Sequence, residues 1–507
     1  MTSSLLINFV FAVYNRLNLW YGQSFSYKML VWISVRLKKS FILSSIYSFF
    51  CVEGKVRYAE GSRALKLGGF AARKISDFLK WVYNVLHIKN SFFLKILCGS
   101  FLNYKSRFFE HMLCAFIFVA MVVPHNFWSN FYLLVGAFLL LVIYMAQVAA
   151  GYREGFQFKH IPAALLVFAF ISILSLITGF GGGDGFRIFS FLLSSIIIAV
   201  LVQASITSKE TLRILVFALA TSVFVTALYG MYMLHMGIEV RLEFIDTAMS
   251  MGAARLYSTM DNPNNYAEFL IMTLPIMIAG VFVLKSDFWR LVLAGAASVG
   301  LLALVLTSSR SAYLSAVIGA AFFVLLANKR LVPFFVVLGI LAIPFIPDTI
   351  VARVMTIGRD TSSIFRVWIW EGSMEALRRF WILGVGMGPV AFALVYQIYA
   401  HELAMNAMHS HNLFLQIWIE LGIFGIIAFI VLMFTTIKGA AVTAINTKDN
   451  EIKYYAIGAA SGLVAVLAMG FVEYIWFYPR VNLTFWIVIG ICAGISRLES
   501  GRKRELQ

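Results

Sequence analysis

HNLFLQIWIELGIFGIIAFIVLMFTTIKG, residues 411–439, is the stretch that decides the fold. From Leu413 on it is apolar for longer than the ~18–25 residues a helix needs to cross a ~30 Å hydrocarbon core. It is apolar on all sides, unlike a helix that covers a soluble core. Yet His411 and Asn412 stand at its lip, and Glu420 lies about two and a half turns inside. Ionisable groups are costly in lipid, and one inside a span marks a functional site or a structural network.

Similar runs recur along the chain. Its 507 residues are 61% hydrophobic and 13% charged, which excludes an ordinary soluble domain. The expectation is an all-α polytopic membrane protein with about twelve transmembrane helices, near 111–124, 131–149, 160–179, 187–205, 211–235, 264–284, 289–306, 311–327, 331–347, 412–436, 454–474 and 481–497. The first thirty residues lack the pattern of a cleavable signal. Cys51, Cys98, Cys114 and Cys492 follow no metal-ligand or redox spacing, so neither a disulfide nor a zinc site is expected.

Charge orients the spans. Residues 1–110 hold 16 Lys and Arg against 4 Asp and Glu. FAARKISDFLKWVYNVL (70–86) interleaves basic and apolar side chains at helical spacing. Two readings stay open for 1–110: amphipathic helices on an anionic cytoplasmic leaflet, or a basic extension that only enforces orientation. A multi-span domain follows at 111–498, with a basic cytoplasmic tail at 499–507. With the N-terminus in the cytoplasm, the inner segments hold 31 of the 41 basic residues; the ten outer ones are all arginine. That asymmetry follows the positive-inside rule, and arginine is the side chain suited to a bidentate grip on phosphate. Two outer loops have real size, 236–263 and 348–411. Polar chemistry is expected there and at the adjoining helix ends, at the outer face of the cytoplasmic membrane.

Four polar stretches fall on that side. RLYSTMDNPNNYAEFL (255–270) pairs Arg255 with a helix start capped by Asn262 before Pro263. LTSSRSAYL (306–314) puts Arg310 at a short break between apolar runs, either a snorkelling arginine or an anion ligand beside free helix-start amides. SIFRVWIWEGSMEALRRFWILGVGMGPVAFAL (363–394) reads as an amphipathic surface helix, with Arg366 the anion ligand and Arg378 and Arg379 facing headgroups. GVGMGP (384–389) lacks the strand-loop-helix setting of a nucleotide loop. In MHSHN (408–412), Asn412 is either a helix cap or a site residue, and His409 and His411 are either solvated or a base titrating near neutrality.

The stretch His411-Asn412, nine residues, Gly422, two residues, Gly425 resembles the H-N-x9-G-x-x-G signature of the O-antigen ligase and O-antigen polymerase superfamily. Arg310-Ser-Ala-Tyr-Leu314 resembles its R-x3-L motif, DNPNNYAEF the Asn-Pro-Asn start of an upstream span, and Arg366 with Trp368 before LGVGMG the segment preceding the histidine. The motif-bearing part is 255–425. The resemblance implies a membrane glycosyltransferase that moves an undecaprenyl-diphosphate-linked glycan to an acceptor hydroxyl in cell-surface polysaccharide synthesis. Its partners would be the lipid-linked donor, a glycan, lipid or protein acceptor and membrane lipids, with no cofactor and no nucleic acid. The outer loops contain no Asp-x-Asp pair or His/Glu set suited to Mg²⁺ or Zn²⁺, so no metal is expected.

The expected chemistry is inverting displacement. His411 is the base, Arg310 with Arg366 and Arg255 binds the diphosphate, and His409, Asn412 and Glu420 support them. Ligase and polymerase are not separated by these motifs. A lipid-linked glycan flippase also fits twelve spans, but transporters usually place polar coupling groups near the midplane and often carry internal repeats, whereas here the basic residues cluster on the outer face and no convincing repeat is found.

Overall fold

The computed structural model describes residues 63–85, 107–153, 155, 163–237, 255–342 and 361–505, with a few isolated positions before residue 30. Most of 1–110, the middles of both large loops and the last two residues lie outside this description, and with them the expectations for Cys51 and Cys98. By compactness the chain divides into residues 1–57 with 321–346, and residues 58–320 with 347–507. The second unit carries the motifs.

Among the described residues the chain is helical, without strands. The helices are α1 (Arg63–Val85), α2 (Phe108–Val122), α3 (Asn130–Ala149), α4 (Ala163–Thr178), α5 (Gly182–Ser205), α6 (Lys209–Met236), α7 (Pro263–Val283) and α8 (Asp287–Leu306). They continue as α9 (Arg310–Asn328), α10 (Val332–Ala342), α11 (Thr361–Phe380), α12 (Pro389–Tyr396), α13 (Leu413–Asn446), α14 (Asn450–Met469) and α15 (Pro479–Glu505). Among them nine stretches are long and apolar enough to cross a membrane, where hydropathy suggested about twelve. The difference lies in α2 and α4, which are apolar but short, and in Arg310–Leu341, one continuous 32-residue run rather than two spans.

Close packing comes from small residues, as expected where lipid removes the hydrophobic drive between helices. A Cβ on Gly462 of α14 would stand 2.3 Å from the Met272 carbonyl oxygen of α7, and one on Gly490 of α15 2.5 Å from that of Ala199 in α5. Charged pairs gather at one end of the bundle. There Lys209 reaches Asp449 at 2.9 Å, Arg213 grips Glu451 with both nitrogens, and buried Arg153 meets Glu110 at 2.5 Å.

The opposite end is knitted by hydrogen bonds between turns. Thr259 Oγ1 donates to Met121 O (2.7 Å), Leu256 N to Leu306 O (3.0 Å), Phe180 N to Val385 O (2.8 Å) and Leu413 N to Gly470 O (2.7 Å). Arg480, read from sequence as one of ten outer anion-grasping arginines, is instead fully buried there. It donates to Val123 O (2.6 Å), Ala120 O (3.3 Å) and Thr259 O, and to the Tyr478 hydroxyl (2.6 Å). Each buried carbonyl left without a donor costs ~1–3 kcal/mol. Arg480→Leu is therefore expected to lower the unfolding midpoint in detergent; an unchanged midpoint would count against this keystone role.

The 348–411 segment is no open loop in its described part. α11, α12 and the short turn Glu402–Ala404 close over a private core that includes Ile369, Leu377, Phe392 and Tyr396. Trp368, Trp370 and Phe380 pack against it, so these aromatics serve packing before they serve any interface. Ile364, Val367 and Met374 remain exposed on the other side of α11.

Candidate active site

α13 begins where four hydrogen bonds meet. Asn412 Oδ1 accepts from Leu415 N at 3.0 Å, satisfying a free helix-start amide. Its Nδ2 donates to Phe471 O at 2.8 Å, which ties the helix start to the turn between α14 and α15. Ser410 N donates to Gln416 Oε1 (2.7 Å), and Trp370 Nε1 to Ser410 O (2.9 Å). Between Ser410 and Asn412 the backbone of His411 is left-handed, φ 48°. Of the five non-glycine residues with positive φ among the described ones, His411, Ser258, Asp261 and Ser308 all belong to turns at this end. Such conformations persist only where the surroundings hold them, and they gather at functional sites.

Arg366 and His411, named from sequence, meet on a carboxylate that sequence reasoning missed, and Arg255 reaches it through Asn264. Glu473, in the α14–α15 turn, is 7% exposed. Its Oε1 accepts from Asn264 Nδ2 (2.7 Å) and from the guanidinium of Arg366. Its Oε2 faces His411 Nδ1 at 3.5 Å. Asn264 Oδ1 in turn accepts from Arg255 Nη2 (3.0 Å), while Arg255 Nε donates to Thr307 O (2.9 Å). Arg255 thereby braces the turn from which α9 starts at Arg310, which stands half-buried. The only sequence signal for Glu473 was a lone acid in the short polar break between the last two apolar runs.

Electrostatics follow from this clustering. Burial alone would raise the Glu473 carboxyl, but the Arg366 guanidinium, with His411 and His409, outweighs it and holds the carboxyl at about 2. His409 is pushed the other way: burial, helped by His411 and Arg366 and opposed by Glu473, lowers its imidazole to about 3. Its Nδ1 accepts from His411 N at 3.2 Å, and its ring lies 4.4 Å from Phe477 and 4.1 Å from the His411 ring. A neutral imidazole with one nitrogen committed is a wall for His411, not a second base.

Glu420 lies outside this hub. Oε1 accepts from Gln416 Nε2 (2.9 Å) and Gly388 N (3.3 Å), which joins α13 to the GVGMGP turn. The turn enters a break in α13: Val385 N donates to Ile419 O (2.7 Å), Gly386 N to Glu420 O (3.2 Å), and Ile423 N to Trp381 O (2.8 Å). At the break Gly422 adopts φ 68°, ψ −173°. The expected span 412–436 is thus a short arm before Gly422 and a longer one after it. Arg378 pairs with Glu375 on the exposed side of α11, and Arg379 lies over the Tyr399 ring, away from the hub. Among the described residues no three His, Cys, Asp or Glu side chains are placed to hold a metal ion.

Residues 295–430 match the family described as O-antigen ligase. That segment contains Arg310, Arg366, His409, His411, Asn412 and Glu420, while Arg255, Asn264 and Glu473 reach the site from outside it. No curated protein matches the chain. The histidine turn thus lies in a segment of this helical membrane protein that is similar to the O-antigen ligase family.

Proposed function

We propose that this enzyme transfers a glycan from a polyprenyl-diphosphate carrier to an acceptor hydroxyl, with inversion and without a metal, at the outer face of the cytoplasmic membrane. The observation that carries the reading is the convergence of Arg255, Arg366 and His411, far apart in sequence, about one buried carboxylate. There a carrier's apolar tail stays in lipid while its diphosphate sits at headgroup depth.

In the reaction His411 accepts the acceptor's hydroxyl proton as the oxygen attacks the anomeric carbon. The bond from that carbon to the phosphate oxygen breaks, and its electron pair leaves with the diphosphate. Arg310 and Arg366 meet the growing charge. Arg255, expected among the diphosphate ligands, acts here by holding the Arg310 turn and Asn264 in place. Ligase and polymerase share these steps and differ in whether the acceptor is itself a carrier-linked glycan.

The test is purified protein in vesicles with a donor labelled in its sugar. Release of polyprenyl diphosphate must accompany labelling of the acceptor and persist with EDTA. Arg310→Ala is expected to slow transfer on the order of 10²–10³-fold, the usual effect of losing one charge-stabilising donor; unchanged transfer would remove Arg310 from the site. Product length then separates the two activities: growing carrier-linked chains mean polymerisation, and capped acceptors ligation.

A further inference from the structure

The Glu473 carboxylate is shared unequally. Oε1 holds Asn264 and Arg366, whereas the 3.5 Å from Oε2 to His411 Nδ1 exceeds an ordinary N–H···O bond. His411 Nδ1 has no hydrogen-bond partner, although it is buried. The carboxylate is thus neutralised by a guanidinium, and the imidazole is held less closely. A guanidinium is also the group that a diphosphate attracts most strongly, through paired N–H···O bonds.

We propose that Glu473 is a positioning residue whose partner changes with the donor: the diphosphate draws Arg366 away, and the released carboxylate closes onto His411 Nδ1. An imidazole held at Nδ1 by a carboxylate presents Nε2 to the acceptor hydroxyl and is stabilised once it takes the proton. The base therefore reaches full strength only with the donor in place. This rests on the assignment of His411 and Arg366 above.

Competition for Arg366 gives a signature that a purely structural carboxylate lacks. Glu473→Gln frees the guanidinium but cannot stabilise the imidazolium. Donor Kd is expected to fall several-fold while kcat drops on the order of 10²-fold; Glu473→Asp, which keeps the charge, is expected to recover part of kcat. Weaker donor binding together with lower kcat would overturn the proposal.

A measurement on the unmodified chain decides the matter even if Glu473→Gln does not assemble. In lipid nanodiscs, the ¹⁵N resonances of His411, assigned through His411→Asn, are titrated with and without inorganic diphosphate. The charged or titratable groups around Glu473 are Arg366 from α11, His409 and His411 from the turn before α13, and Glu268 from α7. Diphosphate is expected to raise the protonation midpoint of His411, and an unmoved or lowered midpoint would overturn the exchange. Since inorganic diphosphate needs no turnover, failure here is distinguishable from failure of the glycan-transfer reading, which shows as absent transfer by the unmodified enzyme.

Discussion

His411→Ala is expected to transfer glycan ~10²–10⁴-fold more slowly than the parent protein while still binding the lipid-linked donor, because positioned general-base help is worth about that much. The arginines that would hold the diphosphate do not depend on the imidazole: Arg366 is fixed by Glu473, and Arg255 braces the Arg310 turn through Thr307. Single-turnover transfer and donor binding, measured side by side, separate the two effects. In cells the same variant strands glycan on its carrier if the enzyme is a ligase, or shortens chains if it is a polymerase. Turnover within threefold of the parent would show that another group takes the proton. Burial lowers the His409 imidazole and its Nδ1 already accepts the His411 backbone N–H, which disfavours His409 as that group.

Gly422→Ala is expected to cost more structure than any other single methyl added to the site. At φ 68°, ψ −173° the backbone sits in a region open essentially to glycine alone, where strain of ~1–3 kcal/mol applies before any clash. An added Cβ would also stand 2.0 Å from the Ile382 carbonyl oxygen and 2.8 Å from the Leu383 carbonyl carbon. Neither backbone can give way cheaply, because Val385 N and Gly386 N fill the break by bonding the Ile419 and Glu420 carbonyls. The variant should show a lower unfolding midpoint in detergent and faster proteolysis between α11 and α12, with transfer lost. Parent-like stability and activity would mean that α13 runs unbroken through Gly422. Gly295, with nothing within 4 Å of an added Cβ, is the control that should tolerate alanine.

The two substitutions also mark where the sequence was legible. Asn412 read as a helix cap and is one, since an amide side chain before an apolar run has a local partner three residues on. His411 stood out because two histidines precede a span with an ionisable residue inside it, which marks a site or a network. Glu420 was visible for the same reason, yet its partners, Gln416 and Gly388, make it a tie between α13 and a glycine turn. Residues 363–394 read as an amphipathic surface helix; Trp368 and Trp370 pack, partly buried, against a small core. Helical spacing tells which side chains share a face, not what covers that face.

The sequence by itself determined that this chain is built of apolar helices and that its connections divide into ones with lysine and ones with arginine alone. Hydropathy and charge act on each segment separately, so they can be read without knowing which helix neighbours which. Tertiary structure alone decided that Glu473 is the meeting point and that Arg480 is a keystone of the fold. It also decided that Gly422 opens α13 to another backbone. Each of these depends on contacts between residues 34 to 360 positions apart, and such partners are chosen by packing geometry, which no local pattern of residues encodes.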